Sequence, residues 1–105
     1  MGSGDMYKGL DALAREGVIA LRNATPVRSG IGASSWSYEI IKDRAGVTIA
    51  WTNSDTQDGF PVVVMLQYGH GTGTGGYVQG EDFINPAIRP IFNKISDNVW
   101  KLVKS

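Results

Sequence analysis

Ile88, Phe92, Ile95, Val99 and Leu102 keep an unbroken 4-3-4-3 spacing to the C-terminus, the mark of a helix with one apolar stripe. A second stripe opens the chain. Met6, Leu10, Leu13, Ala14, Val18 and Leu21 recur at three- and four-residue intervals, while Lys8, Asp11, Arg15 and Arg22 fall mostly off that line. A helix over 5–24 follows, with Asp5 as its N-cap. Gly9 and Gly17 each cost such a helix about 1 kcal/mol relative to alanine, so tertiary packing has to hold it. Thr25-Pro26 ends it, because the residue before proline is pushed out of the helical region. At the other end, Asn85-Pro86 reads as an N-cap followed by proline in the first turn. Pro90 is expected to kink that helix or delay its regular start.

Between the stripes the period changes to two. "WSYEIIKD" puts Trp36, Tyr38 and Ile40 on one face, and "VTIAW" puts Val47, Ile49 and Trp51 on one face. The short "RAG" between them makes the pair a β-hairpin. "VRSGIGASS" (27–35) is a turn-rich connector and "NSDTQDG" (53–59) a polar loop. "FPVVVMLQY" (60–68), continuous and rich in β-branched residues, reads as a buried strand with Pro61 near its start. The expected fold is α+β: an N-terminal helix, a small antiparallel sheet (a hairpin plus a third strand), a glycine-rich loop, and a C-terminal helix packed on the sheet.

A chain of 105 residues suits one domain, assigned to 5–105, with 1–4 read as a disordered N-terminus or a cloning scar. A domain this small has modest stability unless neighbours contribute. Ten Lys+Arg balance ten Asp+Glu, so no global basic field draws in nucleic acid, and self-association meets little charge repulsion. The absence of cysteine excludes disulfides and thiolate metal sites. No apolar stretch is long enough to span a bilayer. The first residues lack the basic and apolar regions of a signal peptide.

The densest motif is "YGHGTGTGG" (68–76), which holds five of the 14 glycines and the single histidine. A phosphate loop needs Lys-Ser/Thr directly after the glycines; here Tyr77-Val78-Gln79 follow, and the next lysine after the glycines is Lys94. The dinucleotide fingerprint fails as well, since it belongs to a βαβ unit. His70 as a general base lacks a nucleophile elbow, and one histidine without cysteine is a poor metal site; the reading that remains first is an ordinary loop histidine. Trp36, Tyr38 and Trp51 would suit a stacking platform for single strands, but without interleaved Lys/Arg the core face of a hairpin is the better reading. Arg89, Lys94, Lys101 and Lys104 against Asp97 give the last helix a mildly basic, solvated face.

Two stretches together resemble a known family. One is "ATPVRSGIGASSW" (24–36): a helix end, Thr-Pro-Val, a polar pair, glycine and a serine-rich strand entry. The other is "LQYGHGTGTGGYVQGEDFINPAIRP" (66–90): aromatic-Gly-x-Gly-Thr, a glycine-rich gap, then Phe-Ile-x-Pro-Ala opening the last helix. The pairing, over roughly residues 8–103, is similar to the neck and tail-completion proteins of long-tailed bacteriophages, also described as minor tail components or head–tail joining proteins. Members often follow the first glycine with a hydrophobic residue and then Arg or Lys; here Ile31 is followed by Gly32.

The resemblance implies a structural virion protein with no catalysis and no cofactor. It implies a ring, six-fold by analogy, at the head–tail junction or tail-tube end. Its partners would be itself, the tail tube and head-completion or connector proteins, with DNA only passing through the lumen and no membrane. Its place would be the virion tail or neck, with assembly in the host cytoplasm. Tyr68, Gly69, His70, Gly71, Thr72, Gly73, Thr74, Gly75, Gly76, Tyr77 and Val78 are then expected to form the assembly loop, settling against a neighbour, because a loop of five glycines is costly to order alone. The alternative is a small soluble binding module whose 69–80 loop holds an anionic ligand; a small hydrolase using His70 is a distant third.

Overall fold

The computed structural model describes residues 3–44, 46–69, 73–78 and 83–104. The chain runs as helix α1 (Ser3–Ala24), two single 3-10 turns (Val27–Ser29 and Ala33–Ser35), strands β1 (Ser37–Asp43), β2 (Gly46–Asn53), β3 (Val62–Gly69) and β4 (Gly73–Val78), and helix α2 (Ile84–Lys104). The strands form one antiparallel sheet in the order β1-β2-β3-β4. The α+β architecture is as the periodicities indicate, with one strand more than they show.

Of its apolar stripe, helix α1 buries Leu10, Leu13, Ala14 and Leu21, and Val18 is half-buried. It packs over β1 and β2, while α2 lies beside it and over β4. α2 buries Ile84, Ile88, Ile91, Phe92 and Ile95. The inner sheet face supplies Val47, Ile49 and Trp51 from β2 and Val62, Val64 and Leu66 from β3. Trp51, fully buried, joins the layers: its indole Nε1 donates to the Ala14 carbonyl at 2.8 Å, and its ring stands 6.0 Å from that of Phe92. Trp36, 6% exposed, donates to Thr25 Oγ1 at 2.9 Å just past the end of α1. Both tryptophans are core residues, which removes the stacking platform.

Several boundaries differ from the sequence reading. α1 begins at Ser3, so Asp5 lies in its first turn instead of capping it. α2 begins at Ile84 and runs on through Pro90. Asn85 is therefore helical, its Oδ1 accepting from Arg89 Nε at 3.0 Å. The start of α2 is not delayed. Pro86 sits in the first turn, where a missing N–H is harmless, and Pro90 leaves one carbonyl of the preceding turn without its helical donor.

The run 60–68 is not buried throughout. Val62, Val64 and Leu66 are covered, Val63 and Met65 are half-buried, and Phe60 lies outside the strand at 71% exposure. Both helices occupy one face of an antiparallel sheet, so alternate residues of even an apolar strand face outward.

Candidate functional site

The glycine-rich stretch is divided by the fold. Tyr68 and Gly69 end β3 and Gly73–Val78 form β4, paired from Val64↔Val78 to Gly69↔Gly73. His70, Gly71 and Thr72 lie outside the described residues. Where the sequence reading expects a loop, Gly73–Val78 is thus a strand paired with β3 in the single chain. Its order comes from main-chain pairing with β3. One glycine has a further reason: a Cβ at Gly76 would come within 2.9 Å of the Phe92 ring, so the absent side chain lets α2 settle on the sheet.

The two edges of the sheet differ in chemistry. β1 carries Glu39, Lys42 and Asp43 along its length, whereas β4 reads GTGGYV, with neither charge nor proline. Charges and prolines are what natural edge strands use to discourage pairing with another chain. β4 lacks them.

A second ordered feature joins the connector after α1 to the loop after β2. Gly32 N donates to the Asp55 carbonyl and Gln57 N to the Gly30 carbonyl, each at 2.8 Å. Asn53, 1% exposed, donates through Nδ2 to the Gly32 carbonyl at 2.8 Å and accepts from Asp55 N at 2.9 Å. Gly30, at φ 76°, makes the left-handed turn that brings the two segments together. The connector and the polar loop thus form one clamped unit at one end of the sheet.

On the flank of α1, Tyr38 donates to Asp11 Oδ1 and accepts from Arg15 Nε at 3.2 Å, while Arg15 and Asp11 pair at 3.2 Å. The guanidinium of Arg15 is held above its usual pKa, first by the hydrogen bond to Tyr38 and then by the charge of Asp11. Beside this group an open groove of about 410 Å³ runs between α1 and β1, walled by Val18, Ile19, Trp36 and Tyr38. A second, more polar cleft of about 370 Å³ lies between α2 and the β3–β4 pair, where Gly76, Asn85, Arg89 and Asn93 meet. Of the basic residues on α2, Lys94 pairs with Glu16 of α1 at 3.2 Å. Among the described residues no group of three or more His, Cys, Asp or Glu is placed to hold a metal ion, and no helix is long and apolar enough to cross a membrane.

No family model matches the chain, and no curated protein or solved structure shows significant similarity to it.

Neither Phe60 nor Asn53 stands out by residue type alone; Asn53, expected as the first residue of the polar loop 53–59, is instead the last residue of β2. Asp58-Gly59 ahead of Phe60 and Pro61 behind it are turn signals, and they mark Phe60 as lying before the strand. Asn53 follows the alternation of β2 onto its buried face, where a polar residue needs partners.

Proposed function

We propose that this chain is a structural protein of a tailed-bacteriophage virion, a neck or tail-completion protein that forms a ring and joins tail to head. The observation that carries the reading is the uncharged, proline-free edge strand β4, built from the same glycine-rich stretch on which the family resemblance rests. An edge of this kind is suited to pairing with a strand of a neighbouring subunit. The balanced charge of the chain agrees with repeated self-contact. In this reading the tail tube and the head connector are the partners, and DNA passes through the lumen.

The test is direct. The purified protein, alone or mixed with tail tubes, is examined by native mass spectrometry and negative-stain microscopy at tens of micromolar. A closed ring, six-fold by analogy with the family it resembles, is expected. A strict monomer that also ignores tail tubes refutes the connector reading.

The Arg89 cleft favours a second reading, an anion-binding module, because a guanidinium there lies beside the glycine strand. Phosphate and nucleotides that raise the melting temperature of the parent chain but not of Arg89→Ala would favour it over the connector.

A further inference from the structure

Two surface features at different places on the chain fit one another. The first is a presented aromatic. Phe60 is 71% exposed, yet its N–H donates to Asp58 Oδ1 at 2.9 Å and its carbonyl accepts from Thr56 Oγ1 at 2.8 Å. Gly59 before it turns at φ 80°, Pro61 after it restricts the backbone, and the whole loop is clamped to residues 30–32. An apolar ring on so fixed a support has little backbone entropy left to lose when it is covered.

The second is the α1–β1 groove, large enough for an aromatic side chain and walled by apolar groups. Ile19, 57% exposed, stands on its rim. Arg15, Ile19 and Arg22 follow one another along that flank of α1 at helical spacing, so two cations bracket the apolar rim. Asp11 offsets part of the charge of Arg15. The loop that carries Phe60 has the opposite sign: Asp55 and Asp58, with no cation between Ser54 and Pro61.

We infer that Phe60 of one copy seats in the α1–β1 groove of the next, with Asp58 facing Arg15 and Arg22. The occupant is a second copy of this chain, since the groove offers an apolar wall of aromatic size and the charges beside anchor and groove are opposite within the one sequence. Anchor and groove are distinct patches, so the contact is head-to-tail and propagates into a ring when the rotation closes. The inference deepens the connector reading and rests on it for that closure. A buried phenylalanine covers about 150–250 Å², far below the roughly 800 Å² per partner of a stable pair. One such contact is weak; closure, or a tail tube as template, makes it persist.

The cysteine-free chain allows a clean test. Phe60→Cys and Ile19→Cys, both at exposed positions, are purified separately, checked for parental melting, mixed and briefly oxidised, with and without tail tubes. The mixed 19–60 disulfide is expected in several-fold excess over either homodimer and over a control pairing Ile19→Cys with Gln67→Cys. In parallel, Phe60→Ala is expected to raise the half-assembly concentration about tenfold. Asp58→Arg should weaken assembly, and Arg22→Asp should restore it. Native mass spectrometry reads the assembly state, since one thiol per chain limits each covalent link to a pair: rings that carry the 19–60 disulfide support both readings. A disulfide-linked pair that assembles no further under native conditions keeps the contact and removes the ring. Rings without the 19–60 disulfide overturn the contact and leave the connector standing. Monomers without cross-links under every condition overturn both.

Discussion

The indole of Trp51 occupies the space where a side chain at Gly17 would be: a Cβ built there lies 2.5 Å from its Nε1. The same nitrogen donates to the carbonyl of Ala14, three positions earlier in α1. The glycine that weakens the helix locally is thus what lets α1 approach the sheet closely, and the sheet's central side chain replaces what the helix gives up.

Gly17→Ala is therefore expected to destabilise the chain by about 1–3 kcal/mol, the usual cost of overpacking a rigid contact. Gly9, in the same helix, has nothing within 4 Å of its would-be Cβ. Gly9→Ala should stabilise by about 0.5–1 kcal/mol through helix propensity alone. Urea midpoints for the two variants should move in opposite directions; shifts of the same sign would remove Trp51 as the cause.

The helices and the hairpin were legible because their signals are local. A stripe at 3.6-residue spacing or an alternation of two is written in the residues that form the element. Strand β4 was not, because Gly73, Gly75 and Gly76 carry no side-chain period. Its strand state depends on the open edge of β3, a tertiary fact. Similarly, "FPVVVMLQY" could not disclose that helices cover only one side of its strand. Nor could the sequence disclose the groove between α1 and β1, whose walls Val18, Ile19, Trp36 and Tyr38 come from segments that only the tertiary fold brings together.

Asn53 holds both segments of the clamped end through one buried amide. Asn53→Ala would remove the acceptor of the Asp55 N–H and one of two donors to the Gly32 carbonyl, which keeps Ser35 N, at a cost of about 1–3 kcal/mol for two lost hydrogen bonds. Amide exchange at Gly32, Asp55 and Gln57 should accelerate more than exchange in α1. Uniform acceleration across the chain would mean that the clamp is no separate unit.

Phe92 touches Trp51 on one side and covers Gly76 on the other. Phe92→Ala should cost about 3–5 kcal/mol. Gly76→Ala should destabilise the parent chain, because the new methyl would meet the ring. In the Phe92→Ala background the same substitution should cost much less, since the ring is gone. Additive effects in this double-mutant cycle would separate Gly76 from Phe92 energetically.

The final prediction concerns the six residues of β4. In an antiparallel edge strand, alternate residues direct their N–H groups toward the neighbouring strand and away from it. Amides of Gly73–Val78 that bond to β3 should exchange slowly in the isolated monomer, and the alternate ones should exchange near the open-chain rate. If assembly adds a strand to this edge, the fast set becomes protected and the slow set changes little. Residue-resolved exchange on monomer and assembled samples separates the possibilities. Fast exchange of all six in the monomer would return β4 to a loop that orders on docking. An outer set that stays fast in a proven ring would mean that subunits meet elsewhere.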